Sequence, residues 1–116
     1  MMLSVRPLGS YKILDIGTPT RKYEEVSSIK EKIDDMLAGG DNFIALNVSN
    51  IDYMHSYFIK ILTATYKKLK SRGGDLCVIG PNDFIRNLMK ILNIDEYVGI
   101  YNSEESFRSF LNLPPA

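Results

Sequence analysis

Asn42-Phe-Ile-Ala-Leu-Asn-Val48 is an apolar run interrupted only by Asn47, and its reading decides the fold. A strand with one face in water alternates apolar and polar residues, whereas a run without alternation is covered on both faces. A helical stretch follows from about Ser56 to Ser71, and then a second run of the same kind, Asp75-Leu-Cys-Val-Ile79. Two buried strands joined through a helix require a crossover, and a crossover gives parallel pairing.

Working outward, the same alternation recurs. Val26, Ile29, Ile33 and Met36 recur at helical spacing in a stretch reaching about Leu37, and Gly39-Gly40 ends it. Upstream, Ser4-Val-Arg-Pro-Leu8, Gly9-Ser10 and Tyr11-Lys-Ile-Leu-Asp-Ile16 read as strand, tight turn and strand. Pro7 cannot donate to a ladder, which assigns its strand to the sheet edge. Downstream, Gly80-Pro81-Asn82 opens a third helix with Ile85, Leu88, Met89 and Leu92 on its inner face. Tyr97-Val-Gly-Ile-Tyr101 is a final short strand, and Asn102-Ser-Glu-Glu105 has the form of a capping box for a last helix. The expected fold is α/β: a small, mainly parallel mixed sheet packed with about four helices. One domain spans residues 1–112, and residues 113–116, with Pro114-Pro115, form a tail.

At 116 residues the chain suits a single domain and can bury a core without staples. Fourteen basic and fourteen acidic residues cancel, so the basic excess of a nucleic-acid binder is missing. Cys77 is alone, lies in an apolar run and reads as a buried, inert thiol in a reducing compartment. No segment has the ~20 apolar residues that cross a bilayer, and the start, Met-Met-Leu-Ser-Val-Arg-Pro7, lacks signal-peptide form. These features place the protein in the cytoplasm. One His, one Cys and no clustered carboxylates supply no metal site, and no glycine loop precedes a helix to cradle a nucleotide; no cofactor is expected.

Asp52-Tyr-Met-His-Ser56 gathers an acid, the only histidine and a serine. A hydrolase triad needs a base oriented by a third group and an oxyanion hole, and there is no Gly-x-Ser-x-Gly elbow here. The simpler reading is that Ser56 caps the second helix. On that helix Ile59, Leu62, Tyr66 and Leu69 form the stripe assigned to the sheet. Tyr57, Ile61, Ala64 and Lys68 form a second stripe assigned to solvent, and its apolar members mark a partner surface.

The ordered set of segments resembles the STAS domain, the fold of bacterial anti-sigma factor antagonists. Phe43-Ile-Ala-Leu-Asn-Val48 with Ser-Asn-Ile-Asp-Tyr-Met54 resembles the family's strand and lead-in. Leu62, Tyr66-Lys-Lys-Leu69 and Arg72-Gly-Gly-Asp-Leu76 resemble its long helix and next strand. Ile85 to Ile94 resembles its third helix, and Tyr101-Asn-Ser-Glu-Glu105 the start of its last. The family's motif at the second helix is Asp-Ser-Ser/Thr-Gly, matched here by His55-Ser56-Tyr57-Phe58. Only Ser56 agrees, at the position that a partner kinase phosphorylates. His55 stands for the Asp and Phe58 for the Gly, and Thr20-Arg-Lys-Tyr23 has Lys22 near the place of a family Asp.

The resemblance implies a non-enzymatic regulator of transcription that binds an anti-sigma factor/serine kinase by partner switching. Phosphorylation of Ser56 would block binding and a phosphatase would reset it. His55, Ser56, Tyr57, Phe58, Ile61 and Ala64 would form the contact surface. Two alternatives stand beside this: an unphosphorylated STAS interaction module, as scaffold or transporter accessory subunit, and a small-molecule or lipid carrier. Monomer and weak dimer both remain open.

Overall fold

The computed structural model describes residues 3–114. The leading Met1-Met2 and the last two residues of the expected tail, Pro115 and Ala116, lie outside the described residues. The element order is β1 (Leu3–Leu8), β2 (Tyr11–Ile16), α1 (Tyr23–Ala38), β3 (Phe43–Asn47), α2 (Ser56–Ser71), β4 (Asp75–Ile79), α3 (Asp83–Ile91), a 3-10 turn (Ile94–Glu96), β5 (Gly99–Tyr101) and α4 (Glu104–Phe110). The five strands lie side by side in chain order. β1 pairs antiparallel to β2, and β2 to β5 are all parallel. The mixed, mainly parallel sheet with four helices agrees with the sequence reading.

Gly9-Ser10 is the whole β1–β2 connection, because Leu8 pairs with Tyr11. Gly9 takes φ +59° while Ser10 stays out of the left-handed region. That is the pattern of a two-residue type II′ turn, whose twist suits a hairpin. Pro7 lies on the edge strand, as its missing N–H requires.

The sheet has two unequal faces. Leu14, Ile16, Ile44, Leu46, Leu76 and Val78 point to the larger core, shared with α1, α2 and α3. Ile13, Ala45, Cys77 and Ile79 point the other way and are covered by Tyr11 and by Phe107 of α4. Strands in chain order, each returned by a crossover of one hand, put all three crossover helices on one face. Leu113 also packs against the smaller core. Burial holds the Cys77 thiol well up, at about 12, which leaves it a thiol at neutral pH.

The last helix is capped one residue later than the sequence suggested. Ser103, rather than Asn102, accepts from the backbone N–H of Ser106. Ser103 is the residue in extended conformation before the first helical turn, the only place from which a side chain can reach that N–H. In α3, Ile85 and Met89 are buried as expected, Leu88 is half-buried, and Leu92, expected on the inner face, is exposed, because the helix ends at Ile91 and Leu92 is its cap.

One polar cluster clamps α4 to the sheet. Arg6 grips Asp15 through two hydrogen bonds of 2.6 and 3.1 Å and also donates to Glu104. Asn47 donates to Asp15 at 2.7 Å. The hydrogen bonds from Arg6 hold both carboxyls below the usual carboxylate range. The unfolded chain therefore takes up protons at a higher pH than the folded one. The clamp's contribution is complete above the ordinary carboxylate values, about 4, and fades as pH falls through the lowered folded ones. Arg6→Leu is expected to flatten the acid limb of stability below about pH 5, measured as urea midpoints over a pH series. An unchanged limb would remove the clamp from the account.

Candidate functional site

The carboxyl ends of β2, β3 and β4 open onto three loops at one end of the sheet, the usual place for function in parallel α/β folds. These loops carry residues 17–22, 48–55 and 80–82. Loop 48–55 is fastened on both sides. The buried Thr20 hydroxyl donates to the carbonyl of Tyr53, and Arg21 pairs with Asp52 at 3.0 Å. Asn82 reaches the carbonyl of Ile51 at 3.4 Å. The lead-in to α2 thus has one defined path.

Ser56 is exposed, and it is the first residue of α2. The expectation that it caps the helix is corrected. His55 is the cap: its backbone is extended, and its Nδ1 accepts from the Tyr57 N–H at 3.0 Å. Its neutral ring therefore carries the proton on Nε2. The Phe58 and Ile59 N–H groups donate to the His55 carbonyl. Ser56 is already helical, so its hydroxyl is left free for other work. The acid, histidine and serine form no relay: Asp52 is paired with Arg21 and His55 Nδ1 with the backbone.

The outward stripe also needs correction. Phe58 is fully buried and Ile61 nearly so, and both belong to the main core. The core-facing residues of α2 are Phe58, Ile61, Leu62, Thr65 and Leu69. Ile59 and Tyr66, assigned to the sheet, are only half-buried. Adding Phe58 to the wheel explains the shift. It is the bulkiest apolar side chain of the helix, and it turns the apolar direction toward Ile61 and Thr65. Tyr57 is half-buried and Ala64 exposed. Of the six expected contact residues, His55, Ser56, Tyr57 and Ala64 reach the surface.

The structure adds others. The Tyr23 ring stacks on Tyr57 with centroids 4.7 Å apart and planes 10° apart. Arg21 lies over the Tyr53 ring, 5.6 Å from its centre. Tyr23 is 58 % exposed, Tyr53 42 % and Phe84, at the start of α3, 59 %. Exposed tyrosines beside an arginine are the composition of protein-contact hot spots. Their signal in the sequence was position: each lies in or just after a loop at a strand's carboxyl end. Lys22 is exposed and makes no ion pair among the described residues. Among those residues no group of three or more His, Cys, Asp or Glu could hold a metal ion, and no helix is long and apolar enough to cross a membrane.

Residues 22–107 match the STAS domain. A Thermotoga maritima protein named "Putative anti-sigma factor antagonist" is 27 % identical over 99 residues, covering 80 % of this chain and 88 % of the relative. A crystal structure from the same organism, described in the same terms, superposes with TM-score 0.84 at 21 % identity, covering 95 % and 94 % of the two chains. The Bacillus cell fate determinant SpoIIAA in its phosphorylated form superposes with TM-score 0.71 at 14 % identity, covering 94 % and 99 %.

Proposed function

The chain belongs to the STAS domain family, and from that premise we propose that it is an anti-sigma factor antagonist-like regulator that docks onto an anti-sigma factor/serine kinase. The observation that carries the reading is the setting of Ser56. Its hydroxyl is exposed on the first turn of a helix, spared from capping by His55, with the exposed Tyr53 in the loop leading into that turn and the exposed Tyr23 at the head of α1 stacked on the adjacent Tyr57. A hydroxyl presented in this way can enter a partner's cleft, and the rings around it supply apolar anchors.

Phosphorylation would act locally. The Ser56 oxygen bonds to the terminal phosphorus of ATP, the bond to ADP breaks, and the hydroxyl proton passes to a base on the kinase. The product gains about −1.5 to −2 charges. The positive end of the helix dipole tolerates them, and Lys60 lies one turn on, at the spacing of a favourable helical ion pair. The fold survives while the docking surface changes sign, and a phosphatase restores it. In this reading the protein is not an enzyme, and it works in the cytoplasm.

Incubation with the anti-sigma kinase of its own cell and ATP, followed by intact mass measurement, is expected to add one phosphoryl group. Ser56→Ala abolishes the addition, and Ser56→Asp weakens kinase binding at least tenfold, about 1.4 kcal/mol. A second reading keeps the docking and drops the switch. It is favoured by His55, which already occupies the N–H a phosphate could use, and by the Tyr23–Tyr57 stack crowding the same turn. An unshifted mass together with unchanged binding by Ser56→Asp decides for this constitutive module.

A further inference from the structure

One hydrogen bond in the first turn of α2 can be broken by a proton. His55 Nδ1 accepts from the Tyr57 N–H at 3.0 Å, and among the described residues no other side chain caps this helix. The nitrogen of an imidazole accepts a hydrogen bond or holds a proton, never both. Histidine is also the side chain whose ordinary change of charge falls between about pH 5 and about pH 8. Serine, asparagine and aspartate, the usual caps, keep their acceptor oxygen throughout that range. The half-buried His55 ring is in reach of water and is the only histidine of the chain. The cap that holds the docking turn is therefore the one kind that a modest fall in pH removes.

Protonation acts twice. It turns the Nδ1 acceptor into a donor facing the Tyr57 N–H, and it sets a positive charge at the positive end of the helix dipole. The surroundings do not offset this. In the lead-in loop Asp52 is held by Arg21 at 3.0 Å, and on α1 Asp34 is held by Lys30 at 2.7 Å. Glu25 is engaged by the backbone N–H groups of Arg21 and Lys22, and Asp83 of α3 by Arg86 at 2.8 Å. Lys22, and Lys60 one turn along α2, carry the same sign as the imidazolium. Among the described residues no carboxylate pairs with the His55 ring. The Phe58 and Ile59 N–H groups stay on the His55 carbonyl, so the helix persists and only its first turn loosens. Tyr57 is the residue that loses its bond, and the Tyr23 ring is stacked on it at 4.7 Å. The disturbance falls on the surface beside Ser56.

We infer that His55 gates docking by its protonation: the neutral ring holds the Ser56–Tyr57 turn in its docking form, and the protonated ring releases it. The cap is complete where the imidazole is neutral and is lost as pH falls, so docking tightens as pH rises from about 5.5 to about 7.5. The inference rests on the docking reading and names a regulation of the same site. It does not require modification of Ser56.

The test titrates the full, unmodified chain by NMR from about pH 8 to about pH 5. The His55 ring protons mark the protonation. The Tyr57 amide is expected to shift, and to lose its protection from exchange after correction for pH, with the same midpoint. In His55→Asn, whose amide oxygen caps without titrating, the Tyr57 amide is expected to stay still. Binding of the unaltered chain to the anti-sigma kinase of its own cell is expected to weaken about fivefold between about pH 7.5 and about pH 5.5, the worth of one helix cap. The same ratio in His55→Asn is expected to be near one, whatever its affinity at the higher pH. A Tyr57 amide that ignores the ring titration, or that moves equally in His55→Asn, overturns the gate. So does a pH ratio of kinase binding that is the same in both proteins. Kinase binding absent at every pH overturns the docking reading and takes the gate with it. The two failures are told apart because the Tyr57 amide is read without the kinase.

Discussion

Phe58→Ala is expected to lower stability by about 3–5 kcal/mol, the range for removing a buried aromatic ring. Ser56→Ala, two residues away, is expected to stay within about 0.5 kcal/mol, as surface substitutions do. The contrast follows from the first turn of α2. Phe58 is fully buried and sits in the main core with Met54 and Leu62, whereas Ser56 is exposed and caps nothing. Domains of this size have only about 5–15 kcal/mol in hand. The Phe58→Ala protein should therefore unfold at a much lower urea concentration, with the midpoint displaced by more than 1 M at ordinary slopes. Phe58→Leu keeps most of the volume and is expected to cost less than about 1.5 kcal/mol. In partner-binding assays Phe58→Leu should behave as the unaltered protein. Binding lost in a fully folded Phe58→Leu would return this residue to the contact surface and overturn its assignment to the core.

The same helix shows what could be read from the chain and what could not. β3 and β4 were legible because an unbroken apolar run has one economical explanation, a strand covered on both faces, and β3 and β4 pair in register from Phe43–Asp75 to Asn47–Ile79. The parallel order followed from the helices between them. The facing of α2 is not legible from the Ile59–Leu62–Tyr66–Leu69 stripe alone, because Phe58, the bulkiest apolar group of the helix, turns the apolar direction toward Ile61 and Thr65. The cap was missed because histidine is not among the usual cap residues, although its Nδ1 reaches the same N–H that an Asp or Ser oxygen would. The site's other members were hidden by distance along the chain. Tyr23 and Tyr57 lie on different helices, and Arg21 and Asp52 in loops joined only by the fold. The Arg6–Glu104 contact spans 98 residues, and no local pattern announces it. Ser56 stands out in the sequence beside Asp52 and His55, its reading as a phospho-acceptor comes through resemblance, and its exposure at the head of α2 is independent of that resemblance.

Gly73-Gly74 reads in the sequence as one helix stop, yet the two glycines do different things, and their alanine variants should differ sharply. Gly73 has φ +77° and open space where a side chain would go. Alanine there meets only the left-handed penalty, roughly 1–2 kcal/mol. Gly74 is not left-handed, but a Cβ on it would lie 1.7 Å from the Asn42 carbonyl oxygen and 2.6 Å from its carbon. The obstacle is backbone, and that backbone is engaged. The same Asn42 oxygen accepts from the Asp75 N–H at 3.0 Å, next to the first rung of the β3–β4 ladder. The Gly74 N–H donates to Leu69 at 2.7 Å, and Arg72 binds the Asn42 side chain at 2.8 Å. Relief of the clash must pull α2's exit away from β3 and break at least one of these bonds. Gly74→Ala is therefore expected to cost about 3 kcal/mol or more, the upper range for overpacking, and to move the urea midpoint well below that of Gly73→Ala. Because β3 leads straight into loop 48–55, the disturbance should also reach the Ser56 turn, seen as shifted amides there in the folded fraction. Equal midpoints for the two variants would mean that Asn42 yields freely, and the close approach of α2's exit to β3 would then carry no weight in holding the sheet together.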